Sequence, residues 1–177
     1  MWKQLNLFTV GKNEPPTQDR VRELFDYRED GNLICKSTRG GNAKVGTVAG
    51  SPKPSGYNRI RIDGVDYELH RIIFLHHYGY LTHGLDVDHI DGDKQNNRIE
   101  NLRECTRGQN QENSKLRLDN TTGVKGVQYD KRRKKYRVNI KTNKKNYNGG
   151  SYATLEEATI KAKQLREELH GDFARHE

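Results

Sequence analysis

Apolar residues are scarce in this chain. They make up 31% of its 177 residues, against 32% that are charged. One large core is therefore a poor expectation, and two compact modules with thin cores fit the balance better. No run of about 18 apolar residues occurs, so no helical membrane span is expected. No basic helix carries a broad apolar face, which argues against a helix lying on a membrane surface. The opening MWKQLNLFTVGKNEPP has neither a long apolar stretch nor a small-residue cleavage site, so a signal peptide is not expected. Cysteine occurs only at Cys35 and Cys105, outside any CxxC. Two cysteines make neither a disulfide framework nor an all-cysteine zinc site, and the expectation is two reduced thiols in a cytoplasmic protein. No heptad or long apolar face marks a dimer interface, which leaves the oligomeric state open, a monomer included.

Acidic residues are also in deficit, 24 against 32 Lys and Arg, for a formal charge of +8. A polyanionic partner is implied, and nucleic acid is the first candidate because each neutralised phosphate releases counterions. The charge is unevenly spread. From Asn120 onward there are 14 Lys/Arg and 7 Asp/Glu, and between Val124 and Gly150 ten basic residues face Asp130 alone.

Local patterns give a mixed α+β reading. Thr17 caps a short helix with Val21, Leu24 and Phe25 at helical spacing. LFDYREDGNLICK reads as a hairpin turning at Asp30-Gly31, and a basic Gly-rich loop follows. YNRIRI and VDYELH flank Asp63-Gly64, the strongest hairpin signal in the chain. RIIFLHHYGY reads as a short helix ending at Gly79. A strand from Leu85 to Ile90, a polar loop from Asp91 to Asn97 and a strand from Arg98 to Cys105 come next. Thr106 and Gln109 then form a capping box that opens a helix carrying Asn110. Ser114 to Gly123 reads as a linker. Beyond it, VKGVQY, KYRVNIK and NYNGGSY are three expected strands. A helix follows, capped by Thr154 and Glu157, with Ala158, Ala162, Leu165 and Leu169 on one face and a stop at Gly171.

The densest polar constellation is Asp88-His89 with Asn101 and Asn110 downstream, around the loop residues Asp91, Gly92, Asp93, Asn96 and Asn97. Phosphodiester hydrolysis needs oxygen ligands for a hard divalent cation and a neutral imidazole to take a proton from water. Adjacent strand residues point to opposite faces, so Asp88 and His89 serve one site only if the strand ends or bends there. Asp91 and Asp93 read as turn formers beside glycine. Asn113, one turn beyond Asn110, is the weaker claimant. His70 reads as a structural hydrogen-bonding residue, and His76-His77 as half-buried helix surface.

VDHIDGDKQNNRIENLRECTRGQNQEN resembles the HNH family of ββα-metal nucleases, in particular its phage and intron-encoded homing branch; with the preceding hairpins the likeness covers roughly residues 20 to 113. The resemblance implies Asp88 and Asn110 as metal ligands, His89 as general base, and Asn101 as the residue that orients the loop and His89. Asn instead of His at position 110 favours Mg2+ or Mn2+ over zinc. The products implied are a 5′-phosphate and a 3′-hydroxyl.

TGVKGVQYDKRRKKYRVNIKTNKKNYNGGSYATLEEATIKAKQL is similar to the AP2 DNA-binding domain, which lays a three-stranded sheet into the major groove. Alternation along KYRVNIK sends Tyr136, Val138 and Ile140 to the helix and Arg137, Asn139 and Lys141 outward. The resemblance makes Lys125, Gln128, Arg137, Asn139, Lys141 and Lys144 the residues facing double-stranded DNA, although Lys125 and Gln128 stand where the family carries arginines. Residues 131 to 135, KRRKK, read as a hairpin tip that adds salt-dependent affinity.

The expected architecture is α+β: N-terminal hairpins (1–60) leading into a ββα-metal nuclease core (61–118), then a three-stranded antiparallel sheet with one helix (119–177). The expected function is metal-dependent cleavage of double-stranded DNA. The rival reading is a DNA-binding regulator built on an inactive nuclease scaffold, which would have no use for the intact Asp88, His89, Asn101 and Asn110 set.

Overall fold

The computed structural model describes residues 15–38, 40, 43–113, 116, 119–142 and 145–174. Helices and small antiparallel sheets are mixed along the chain, an α+β fold as expected. Packing divides it into two compact units. One comprises Met1–Thr82 with Lys94–Leu102, and the other His83–Asp93 with Arg103–Glu177.

In the first unit, Thr17 Oγ1 accepts from Arg20 N and opens α1 (Gln18–Leu24). Phe25, which the spacing offers to the helix and the LFDYREDGNLICK pattern to a hairpin, starts β1 (Phe25–Arg28), paired with β2 (Asn32–Cys35). Its aromatic ring is fully buried, as are Leu33 and Val21, so packing outweighs helical periodicity there. A two-residue strand β3 (Ser51–Pro52), β4 (Asn58–Ile62) and β5 (Val65–Glu68) form a meander. Asp63 and Gly64 both have positive φ, +48° and +86°, which is the backbone a type I′ turn requires. Helix α2 (Leu69–Tyr78) buries Leu69, Ile72, Ile73 and Leu75 and ends at left-handed Gly79.

The returning loop is fastened to these hairpins. Lys94 Nζ donates to the Ser55 carbonyl and lies over the Tyr57 ring, while Asn58 Nδ2 donates to Gln95 Oε1. Tyr27 Oη accepts from Ile99 N at 3.0 Å. That bond anchors a 3-10 turn, Ile99–Asn101, where the sequence suggested the start of a strand.

Strand β6 (Asp86–His89) pairs with β7 (Leu102–Cys105), and in the second unit α3 (Arg107–Glu112) opens on the expected Thr106/Gln109 capping box. The three-stranded sheet follows: β8 (Val127–Asp130), β9 (Lys135–Thr142) and β10 (Lys145–Tyr152), with β9 central. Val138 and Ile140 point inward and Arg137, Asn139 and Lys141 outward. Val127, Val138, Ala158 and Ala162 form the core between the sheet and α4 (Leu155–His170). Arg166 is buried on that helix while Leu169 stays half-exposed; the Arg166 guanidinium donates to the Lys125 carbonyl at 3.1 Å.

Thr154 Oγ1 and the Glu157 side chain satisfy one another's backbone donors at the start of α4. Thr154→Ala is expected to lower stability by about 1 kcal/mol, read as a lower midpoint in urea or thermal melts.

Candidate active site

Strand β6 ends at His89, whose carbonyl accepts from Gly92 N at 2.9 Å. The strand therefore stops at the second of the two adjacent polar residues. Asp88 and His89 are both buried, at 7% and 3% exposure. Asp91 Oδ1 accepts from Asp93 N, the side-chain turn that an Asp beside glycine tends to form.

The carboxylate is held on one oxygen. Asn113 Nδ2 donates to Asp88 Oδ2 at 2.8 Å and to the His89 carbonyl at 2.8 Å, so one amide pins the two residues together. Arg103 Nη2 lies 3.4 Å from the same Oδ2. Burial pushes the Asp88 carboxyl above its ordinary pKa, and the Asn113 hydrogen bond and the Arg103 charge pull it part of the way back. The nearby Cys105 thiol, also buried, is pushed up to about 12, first by desolvation and then by the Asp88 and Asp86 charges. Neither cysteine is in a disulfide, and Cys105 stays a thiol at neutral pH.

Asn110 lies on α3 one turn before Asn113, and its side chain enters no hydrogen bond among the described residues. Asn101 ends the 3-10 turn in the first unit, where its Nδ2 donates to the Asn96 carbonyl at 2.7 Å and braces the loop. The structure thus brings Asp88, His89 and Asn113 together, with Arg103 behind the carboxylate. Asn113 and Arg103 are the residues that sequence reasoning underrated. An asparagine three residues after another on a short helix was a usable signal, since both lie on one face.

No three His, Cys, Asp or Glu side chains gather as a metal cluster among the described residues. A cation at this site would need amide oxygens as well as the carboxylate.

Lys125, Gln128, Asn139 and Lys141 line a cavity of about 770 Å3 in the second unit. Lys125 precedes β8 instead of lying within it, and Arg137 pairs across the sheet with Gln128. Lys144 lies outside the described residues. His70 is buried with its ring 5.2 Å from that of Tyr57, and His76 Nε2 meets the Phe25 carbonyl, both within the first unit.

A profile of the HNH endonuclease family matches residues 67–112, the stretch that contains Asp88, His89, Asn101 and Asn110. Protein 3.8 of Escherichia phage T7 is 36% identical over 97 residues, spanning 55% of this chain and 79% of the phage protein. This chain belongs to the HNH endonuclease family. A second relative, DNA endonuclease I-HmuI of Bacillus phage SP01, is 39% identical to this HNH endonuclease over 66 residues, 35% of this chain and 38% of the relative. A solved structure describing DNA binding and cleavage by the HNH homing endonuclease I-HmuI aligns over 50% of each chain, with 28% identity and a TM-score of 0.39. No helix of this HNH endonuclease is long and apolar enough to cross a membrane among the described residues.

Proposed function

We propose that this HNH endonuclease hydrolyses phosphodiester bonds in double-stranded DNA with the help of Mg2+ or Mn2+. His89 acts as general base, Asp88 and Asn110 as the cation's oxygen ligands, and Asn101 as the brace of the returning loop. The observation that carries the reading is the pinned carboxylate: the bonds to Asp88 converge on Oδ2, leaving Oδ1 for a cation. Asp88 Oδ1 and the unengaged Asn110 amide are hard oxygen donors, which suits Mg2+ or Mn2+. A bound cation would supply positive charge against the phosphate and the leaving oxygen. His89 takes a proton from water as the water oxygen attacks phosphorus and the bond to the 3′-oxygen breaks; the departing 3′-oxygen takes a proton from solvent, giving a 5′-phosphate and a 3′-hydroxyl. Asn113 keeps the His89 backbone and the Asp88 carboxylate in register throughout.

The modules we assign are 1–60, 61–118 and 119–177, the last an AP2-like DNA-binding sheet. Its outward residues Arg137, Asn139 and Lys141 are exposed on β9, and Lys125 and Gln128 lie nearby. The expected place of action is a bacterial host cell, given phage relatives. Arg137→Ala combined with Lys141→Ala is expected to weaken DNA binding at every sequence and to reduce the slope of log affinity against log salt by about 2. Fluorescence anisotropy across a salt series reads both effects. An unchanged slope would remove these residues from the phosphate contacts.

The nuclease reading is tested through Asp88. A carboxyl with a raised pKa binds its proton more tightly in the folded than in the unfolded protein. It favours the fold at acidic pH and opposes it as pH rises through that value, where the buried site must carry charge. Asp88→Asn is therefore expected to keep or raise the melting temperature at neutral pH while metal-dependent cleavage of plasmid DNA is lost. Retained cleavage with restored metal would exclude Asp88 as a ligand.

A further inference from the structure

We propose that Phe173 is a positioning residue for the metal-binding carboxylate, acting through Arg103; the inference rests on the assignment of Asp88 as a cation ligand. Phe173 closes a 3-10 turn, Gly171–Phe173, directly after α4. The Arg103 guanidinium carbon lies 3.7 Å from the centroid of its ring. The same guanidinium reaches Asp88 Oδ2 at 3.4 Å, and the Arg103 and Asp88 side chains are only 17% and 9% exposed.

An ion-pair contact at 3.4 Å constrains a long arginine side chain only loosely, because the side chain loses rotamer freedom to make it. A ring face under the planar guanidinium removes that freedom in advance and attracts the cation more strongly where water is excluded. With Asn113 on the same oxygen, two donors fix the rotation of the carboxylate and so the direction of Oδ1. Taking away the ring loosens Arg103 and weakens one of the two donors that do this. A second tie runs parallel: Thr142 of β9 donates to Glu112 of α3. The sheet-and-helix module at the C-terminus thus supports the catalytic carboxylate, in addition to any contact it makes with DNA.

The test uses the full chain and three proteins: wild type, Phe173→Leu, which keeps the bulk and loses the π face, and Phe173→Tyr, which keeps the face. Mn2+ binding without DNA is read from the electron paramagnetic resonance signal of the free ion. Plasmid nicking is followed against Mn2+ concentration, and DNA affinity is measured in chelator. Phe173→Leu is expected to weaken Mn2+ binding about two- to fivefold and to raise the half-activating concentration by the same factor. Nicking at saturating Mn2+, DNA affinity and the melting temperature stay near wild type, and Phe173→Tyr behaves as wild type. Equal Mn2+ binding by wild type and Phe173→Leu, or a loss confined to DNA affinity, overturns the proposal alone. A wild type with no saturable Mn2+ binding defeats the assignment of Asp88 itself.

Discussion

Replacing His89 with alanine is expected to slow plasmid cleavage by about 10²- to 10⁴-fold while DNA affinity stays within about twofold of wild type. The imidazole sits at the end of β6, and the peptide carbonyl of the same residue is held by Asn113 and Gly92 N. Those backbone bonds do not depend on the side chain, so the substitution removes the proposed base and leaves its frame. His89 is buried, and its truncation opens a small cavity, so a melt is run alongside to show that the variant is folded under assay conditions. A variant that binds DNA, melts normally and still cuts at the wild-type rate would take the general-base role away from His89.

Gly31→Ala is the substitution expected to damage the fold most. Gly31 has φ of +87°, and a Cβ there would lie 2.6 Å from Arg98 N and 2.7 Å from the Asn97 carbonyl carbon. Both neighbours are backbone, so no side chain can swing aside. The left-handed conformation costs about 1–2 kcal/mol for alanine, and the steric conflict adds about 1–3 kcal/mol. A fall in melting temperature of roughly 5–15 °C follows for a chain of this size. The displaced backbone belongs to the loop that Asn101 braces through the Asn96 carbonyl. A melting temperature within a degree or two of wild type would mean that the loop yields freely.

What the sequence made legible was what short-range chemistry decides. Asp63-Gly64 demanded a tight hairpin, two capping boxes marked the starts of α3 and α4, and alternation along β9 separated Val138 and Ile140 from Arg137, Asn139 and Lys141. The misreadings share a different cause, namely partners distant in the chain. Phe25, open to both helix and hairpin in the sequence, joins the strand because its ring has a core to enter. The 3-10 turn before β7 depends on Tyr27, 72 residues upstream of Ile99. Arg166 takes a place in an apolar face because the Lys125 carbonyl is there to receive it. Within the site, Asp88 and His89 announced themselves as a pair beside a turn. Which asparagine of α3 and its cap holds the carboxylate depends on how that helix docks on β6, and residue spacing alone does not fix that; the structure gives the hydrogen bonds to Asn113. Arg103 and Phe173 meet across 70 positions, with no local pattern to join them.

The most direct test incubates supercoiled plasmid with the wild-type chain in chelator and then in Mg2+, with His89→Ala treated in parallel. Nicked or linear product that forms only with the wild type and only with Mg2+ is the result expected of a metal-dependent nuclease centred on Asp88 and His89. Product that persists in chelator, or at full rate in His89→Ala, would contradict it.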